Sequence, residues 1–366
     1  MSTPCILPFI HLETTTVGEA RPCCMWEGPA VGNFNTQSLD EIWHGDSMQQ
    51  LRNSFRAGVQ PQGCENCWRA EAAGYTSKRI NDNRRFAHHE PLTTLDAPVY
   101  LDLKLGSICN IKCRICSTEY SQKWAQDETQ IYGAPRFPTK LNWLDDRSGF
   151  WDNLKDIAPT IEFIDFTGGE PFLVKPHWQL LKYLVDNNYS KNISVHYNTN
   201  GTVLPTTAQR NLWREFKWVE TMFSFDGIDS KFEYQRHPAK WATAQQTFET
   251  IYNENVTHTT LCYTVNKFNV LYMQEFADWA CKYNIKPYWN LLHGPEHYSI
   301  KNIPEHCKDE IGTHIIDDSI RNYMLGSTAN TRSYKRFVEL TQQLDSIRNE
   351  TFASTFPELY TILANL

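Results

Sequence analysis

The sequence contains no long apolar run and no surplus of positive charge. None of its apolar stretches approaches the roughly 18 residues that a helix needs to cross a bilayer. Acidic residues outnumber basic ones by 42 to 35, which gives a net charge of −7 at neutral pH. Proteins that bind nucleic acid usually carry a basic footprint. We therefore expect neither a membrane span nor a nucleic-acid partner.

We also expect no secretory signal, because Met-Ser-Thr-Pro-Cys opens the chain without a basic region followed by an apolar core. Eleven cysteines in that context argue against a disulfide framework and favour metal ligation in a reducing compartment. We expect a cytoplasmic protein. Its 366 residues exceed the usual size of one domain, so we expect two domains or one barrel with additions.

The most informative motif is C-x3-C-x2-C, formed by Cys109, Cys113 and Cys116. Thiolates select iron–sulfur clusters, zinc or Cu(I). A structural zinc site normally has four ligands, whereas three close thiolates can hold three irons of a [4Fe–4S] cube and leave the fourth iron open. On its own the motif also fits a zinc knuckle or unrelated thiols. A second motif, Gly168-Gly169-Glu170-Pro171, follows an apolar run downstream and favours the cluster.

Together these motifs resemble those of the radical SAM superfamily. Its signature is C-x3-C-x-Φ-C with an aromatic or apolar residue at Φ, here Ile115, and a GGEP loop closes its second barrel strand. The resemblance covers roughly residues 96 to 295. It implies that the open iron binds S-adenosylmethionine (AdoMet) and that Arg236 pairs with the methionine carboxylate. The implied cofactor-binding residues are Ile115, Gly168, Gly169, Glu170, Pro171, Thr199, Asn200, Ser224, Arg236 and Val265. No catalytic residue is identified.

Apolar and β-branched runs alternate with amphipathic segments, which predicts βα units and an α/β fold. The runs are Val99–Leu105, Ile161–Phe166, Ile193–Tyr197, Val219–Phe225, Thr260–Val265 and Pro287–Leu292. Six strands fit the partial (β/α)6 TIM-type barrel that the resemblance implies, with site residues at the carboxyl ends of strands. We predict a cysteine-rich auxiliary module over 1–92, the barrel over 93–300 and a C-terminal helical extension over 301–366.

The first 92 residues contain five further cysteines, and Cys64-x2-Cys67 is a chelating pair. The spacing from Cys5 through Gly18 to Cys23 resembles the auxiliary iron–sulfur module of SPASM and twitch domains, although that module normally follows the barrel. The resemblance implies one auxiliary [4Fe–4S] cluster on Cys5, Cys23, Cys64 and Cys67, and two clusters in all. Cys24 is the alternative to Cys23, and structural zinc is the alternative occupant of four thiolates.

The resemblance implies reductive cleavage of AdoMet to a 5′-deoxyadenosyl radical that abstracts hydrogen from a substrate. The electron would come from a low-potential donor such as flavodoxin or ferredoxin. SPASM and twitch relatives frequently modify peptides, so we expect oxidative modification of a peptide or protein side chain. One alternative is radical dehydrogenation or epimerisation of a carbohydrate or small metabolite. A non-catalytic iron–sulfur electron carrier is the other, but it would have no use for an open iron or a GGEP loop.

Overall fold

The computed structural model describes residues 4–72, 76–139, 143–144 and 149–363. Over these ranges the chain forms nine strands and seventeen α-helices. The strands are β1 (His11–Thr14), β2 (Glu19–Arg21), β3 (Gly32–Asn33), β4 (Tyr100–Lys104), β5 (Phe163–Thr167), β6 (Ser194–Thr199), β7 (Trp218–Ser224), β8 (His258–Val265) and β9 (Tyr288–Leu291).

Helices α1 to α9 are Leu7–Ile10, Leu39–Trp43, Asp46–Arg56, Glu65–Ala72, Lys78–Arg85, Trp124–Tyr132, Phe150–Asp156, Lys175–Asp186 and Thr207–Trp213. Helices α10 to α17 are Asp229–Gln235, Trp241–Glu254, Met273–Cys281, Glu305–Gly312, Asp318–Leu325, Thr331–Arg348, Phe352–Thr355 and Pro357–Ile362. No described helix is both long enough and apolar enough to span a membrane.

The chain divides into two compact units. The first unit comprises residues 1–108, 138–197 and 205–219, and the second comprises 109–137, 198–204 and 220–366. The boundaries at residues 92 and 300 that we predicted for the auxiliary module and the helical extension remain predictions.

In the first unit, strands β1, β4, β5 and β6 are parallel neighbours, and β2 and β3 continue the sheet antiparallel beyond β1. The N-terminal module therefore contributes three strands to the sheet, which the sequence analysis did not predict. Its apolar residues also join the core at the amino ends of the strands, where Phe9, Phe55 and Phe86 pack with Tyr100 and Phe163.

The two faces of this sheet differ in polarity because successive side chains of a strand point to opposite sides. Leu12, Leu101, Ile164 and Val195 form one cross-strand row, and all four side chains are buried. The next row is Glu13, Asp102, Asp165 and His196, on the opposite face. We call these four residues the polar row. The sheet thus has an apolar face for helix packing and a face that carries charge.

The second unit contains parallel strands β7, β8 and β9. Aromatic side chains fill its interior, with Phe225 and Phe248 packed against Trp241 and Trp279. Helix α15 begins where the Asn330 side chain accepts hydrogen bonds from the backbone of Arg332 and Ser333, and it ends at left-handed Asn349. Asn and left-handed residues are typical helix boundaries.

The predicted fold class is confirmed. Each of the six predicted strands is present to within two residues at either end, and helices separate them in the order expected for a (β/α)6 chain. The cysteine-rich segment lies at the N-terminal end and the C-terminal part is helical from α13 to α17.

Candidate functional site

The cysteine motif lies in a loop of the second unit that hydrogen bonds hold along its length. The backbone amides of Lys112 and Arg114 donate to the carbonyls of His237 and Gln235, at 2.7 and 2.8 Å. The indole of Trp124 donates to the Cys113 carbonyl at 2.9 Å. These bonds fix the backbone course of the loop on both sides of Cys113.

The three thiols share an environment that disfavours bare thiolates. Burial raises the pKa of Cys113, against the opposing charge of Arg236. Burial also raises the pKa of Cys116, and repulsion from Cys113 and Cys109 adds to it. An Asn200 amide nitrogen lies 3.7 Å from the Cys109 sulfur. Neighbouring buried thiolates need a cation, so these residues fit the iron–sulfur cluster that the sequence implies.

Arg236 is buried and has partners that the sequence analysis missed. Its guanidinium lies 2.8 Å from a carboxylate oxygen of Asp226 and 3.8 Å from the sulfur of Cys113. Asp226 also accepts a hydrogen bond from the Thr264 amide at 3.0 Å. Burial opposes the charge on Arg236, but Asp226 and Cys113 together raise its pKa. The pairing of Arg236 with the carboxylate of AdoMet remains a prediction, and in this structure the arginine already pairs with Asp226.

The GGEP loop of the first unit needs both of its glycines. Gly168 has φ 103°, a left-handed conformation that favours glycine. A Cβ on Gly169 would lie 2.1 Å from the carbonyl oxygen of Ile108. The amides of Gly169 and Glu170 donate to the carbonyls of Gly106 and Ile108, at 3.1 and 2.8 Å. The loop therefore packs directly on the backbone that leads into the cysteine motif.

The Glu170 side chain is buried and accepts a hydrogen bond from the Phe172 amide at 3.2 Å. Pro171 starts a short 3₁₀ turn, Pro171–Leu173. The hydrogen bond and the turn together fix the backbone conformation at the end of the GGEP loop.

The remaining predicted contacts lie where strands of a parallel sheet present ligands, at their carboxyl ends. Thr199 ends β6, Ser224 ends β7 and Val265 ends β8, while Ile115 lies half-buried in the cysteine loop. The Thr199 hydroxyl accepts from the Gly201 amide at 3.1 Å, and Asn200 accepts from the Thr202 amide at 2.8 Å. Their contact with AdoMet remains a prediction.

Four N-terminal thiols line one cavity of the first unit: Cys5, Cys23, Cys64 and Cys67. Burial raises the pKa of Cys64 to about 12, and Cys67 contributes by repulsion. The pKa of Cys5 is raised by burial and by its neighbours Cys64 and Cys67. Four thiols around one buried space are the donor set of a metal centre, and the set suits either a cubane cluster or zinc.

Cys24 does not line that cavity, and its side chain is exposed. Its charged neighbours are Lys78, Asp102, Lys104 and Glu13. This arrangement favours Cys23 as the ligand. It also places Cys24 beside the polar row.

Ion pairs connect the polar row. Lys104 pairs with Glu13 and lies 3.5 Å from Asp102, and the Nδ1 atom of His196 lies 2.7 Å from Asp165. Burial raises the pKa of Asp102 to about 6, although Lys104 opposes the shift. Burial alone would raise the pKa of Asp165 as well, but His196 lowers it. Charged residues at alternate positions of β4 and β5 could have indicated this polar face in the sequence. The sequence analysis treated both strands as apolar runs and therefore missed it.

Helix α15 and the residues that follow it hold the cysteine loop through a buried arginine of that loop. The Arg114 guanidinium is fully buried and lies 2.5 Å from Asp345 and 2.7 Å from Glu350. Its charged carbon stands 3.5 Å above the centre of the Tyr234 ring. A second set of ion pairs connects the same two segments. Arg348, at the end of α15, and Lys112, in the cysteine loop, both pair with Asp127.

Both cysteine-containing segments match models of known protein families. Residues 103–280 match the family model of the radical SAM superfamily, and residues 5–68 match SPASM, described as an iron–sulfur cluster-binding domain. The chain contains a radical SAM domain. The SPASM match precedes the radical SAM match, which confirms the predicted order of the two.

Among known proteins, this radical SAM chain is 24% identical over 196 residues to the mycofactocin maturase MftC of Mycolicibacterium smegmatis. The match covers 52% of the chain and 43% of MftC, so it spans less than half of that relative. The structure of anSMEcpe with bound AdoMet is 16% identical with a TM-score of 0.43, covering 63% of this chain and 62% of the other.

Streptococcus suis SuiB bound to precursor peptide SuiA is 14% identical with a TM-score of 0.36, covering 98% and 75% of the two chains. Both structural similarities are distant, and the family assignment rests on the sequence matches.

We predict that Gly169→Ala weakens AdoMet binding about tenfold or more, equivalent to about 1.4 kcal/mol, because the added methyl group displaces the backbone at Ile108. Equilibrium dialysis with the cluster-loaded protein measures the effect. Gly312→Ala is the matched control, since its new methyl group would meet no atom closer than 3.7 Å. Unchanged AdoMet affinity in Gly169→Ala would show that the loop does not contact the cofactor.

We predict that Arg114→Gln lowers the free energy of unfolding by about 3 kcal/mol or more, because it breaks a buried ion pair and leaves two carboxylates without their cation. The variant should also lose iron from the cysteine loop. Denaturant titration and iron analysis give both readouts. Arg336→Gln removes a partly exposed arginine from helix α15, which also carries Asp345, and should cost no more than about 1 kcal/mol. Equal losses in the two variants would contradict the anchoring role.

Proposed function

We propose that this protein is a radical SAM enzyme that uses AdoMet and two [4Fe–4S] clusters to oxidise a side chain of a peptide or protein. The observation that carries the proposal is the gathering of three half-buried thiols in one hydrogen-bonded loop, with Cys113 next to Arg236. An electron carrier would need four such ligands and no AdoMet loop. The GGEP segment, packed on the backbone before Cys109, supports the enzyme over the carrier.

Cys109, Cys113 and Cys116 would hold the catalytic cluster, and the GGEP loop with the strand-end residues would hold AdoMet. When bound, a reduced [4Fe–4S] cluster supplies a low-potential electron, and AdoMet supplies the carbon-centred radical that removes a hydrogen atom from the substrate. The chain itself contributes position and charge. Arg236 places a cation beside Cys113, where it offsets the negative charge of the thiolate.

The polar row is the substrate-contacting surface in this proposal. It carries three carboxylates against one lysine and one imidazole, so a ligand with a cationic group would improve its charge balance. Basic peptide side chains have this chemistry. The similarity to MftC, a maturase, supports the peptide class.

The first unit also brings the polar row close to the four-cysteine cavity. Lys78 lines that cavity and donates to the hydroxyl of Tyr100 at 3.2 Å, on the same face of β4 as Asp102. Cys23 lines the cavity, and the adjacent Cys24 has Asp102 and Glu13 among its charged neighbours. A substrate on the polar row would therefore lie beside the auxiliary centre, which supports an oxidative reaction.

A second candidate is the dehydrogenation or epimerisation of a carbohydrate or small metabolite. The carboxylates and imidazole of the polar row are also good partners for hydroxyl groups. The two candidates share the AdoMet chemistry and differ in the product. Mass spectrometry of substrate fractions incubated with the enzyme and deuterated AdoMet tells them apart.

We predict that the anaerobically reconstituted, dithionite-reduced protein slowly converts AdoMet to 5′-deoxyadenosine and methionine without substrate. Replacing Cys109, Cys113 and Cys116 together by Ala should abolish this, because no thiolate remains to hold the catalytic cluster. Cys281→Ala is the control, since it removes an isolated exposed thiol. Liquid chromatography quantifies 5′-deoxyadenosine. If the fully loaded protein makes no 5′-deoxyadenosine, the protein is an electron carrier and not an enzyme.

We predict about eight irons per chain, from two cubane clusters. Cys23→Ser should lose about four of them, whereas Cys24→Ser should keep all, because only the Cys23 side chain lines the cavity with Cys5, Cys64 and Cys67. Iron and sulfide analysis with Mössbauer spectroscopy measures both. One zinc per chain together with about four irons would contradict the auxiliary cluster and establish a zinc centre.

A further inference from the structure

A group of metal-ligating side chains lies at the amino ends of the first unit's strands, away from the carboxyl ends where the predicted AdoMet contacts lie. It consists of His88 and His89, which follow α5, and Glu162, which precedes β5. Their three ligand atoms all lie within 4.8 Å of one another. The proposed enzyme function uses none of the three residues.

Both imidazoles converge on the same carboxylate. The Nε2 atom of His88 lies 2.8 Å from one oxygen of Glu162, and the Nε2 atom of His89 lies 3.0 Å from the other. The His89 nitrogen is shielded from solvent, yet among the described residues no hydrogen bond of good geometry satisfies it. A buried ring nitrogen that faces a carboxylate oxygen without a hydrogen bond is well suited to share a cation with that oxygen.

The fold holds the carboxylate in place. The Glu162 amide donates to the Val99 carbonyl at 2.8 Å, and its own carbonyl accepts from the Ser194 amide at 2.9 Å. Glu162 is therefore fixed to the segments that lead into β4 and β6. On the other side, the His89 amide donates to the Phe86 carbonyl at 3.0 Å, and Phe86 is buried in the core that the N-terminal module shares with the sheet.

We propose that His88, His89 and Glu162 bind a zinc ion that fastens the segment after α5 to the sheet. Two imidazoles and one carboxylate are a common zinc donor set, and water completes the tetrahedron. At metal–ligand distances near 2.0 Å, tetrahedral ligands stand about 3.3 Å apart. The two observed nitrogen–oxygen separations, 2.8 and 3.0 Å, therefore need to widen by only a few tenths of an ångström. The amino ends of parallel strands commonly serve stability and not chemistry, which assigns the ion a structural role.

The test uses the cluster-loaded protein, freed of loose metal on a chelating resin and kept anaerobic so that the cysteines stay occupied. Zinc is titrated against a chromophoric chelator, and cobalt(II) is added in parallel because its visible absorption reports four-coordinate binding. The variants are Glu162→Gln, which keeps the size of the side chain, and His88→Ala, which removes a half-exposed one. His44→Ala is the matched control, because His44 is an exposed histidine 3.5 Å from a carboxylate of Asp40 in the same unit.

We expect the unmodified protein and His44→Ala to bind one more zinc per chain than Glu162→Gln, and the affinity in Glu162→Gln and His88→Ala to fall about tenfold or more. The cobalt absorption should disappear in the same two variants. Equal zinc affinity and stoichiometry in the unmodified protein and Glu162→Gln would overturn the proposal, as would an equal loss in His44→Ala. Iron content is measured in every variant. If Glu162→Gln loses iron, the zinc affinities of His88→Ala and His44→Ala are compared instead, and equal affinities would overturn the proposal.

Discussion

The buried guanidinium of Arg114 is the interaction on which the rest of the second unit depends. It joins the middle of the cysteine loop to Asp345 and Glu350, at the end of the chain's longest described helix. A charge in that position is stable only with its partners, because an unpaired buried ion costs several kcal/mol. Lys112 and Arg348, which share Asp127, reinforce the same connection. The loop that presents three thiols is therefore shaped largely by residues more than 200 positions further along the sequence.

In the first unit a different constraint operates, because like charges crowd on the polar face of the sheet. Three carboxylates of the polar row are kept together by Lys104 and His196. Such an arrangement contributes less to stability than apolar packing would. Because Cys24 has Asp102 and Glu13 among its charged neighbours, the proposed substrate surface lies close to the proposed auxiliary centre.

Short-range patterns in the sequence were enough to predict the strands, the helical C-terminal part and the cysteine site. Alternating apolar runs and amphipathic segments predicted the six strands and the helical C-terminal part, because burial and periodicity are local properties of the chain. The spacing of Cys109, Cys113 and Cys116 and the glycines of GGEP predicted the site for the same reason. The pairing of Arg236 with Asp226 and the role of Arg114 could not be predicted, since both depend on partners distant in sequence. Strand β1 was missed because four residues, three of them polar, give no clear period.

The dependence of the cysteine loop on α15 has a consequence for biogenesis. A ribosome releases Cys109–Cys116 long before it reaches Asp345 and Glu350, so the newly made loop lacks the carboxylates that fix Arg114. The four thiols from Cys5 to Cys67, by contrast, are all made within the first fifth of the chain. We expect the two sets of thiols to reach their folded arrangement one after the other, because the set in the loop waits for Asp345 and Glu350. Iron would then be delivered to the N-terminal site first.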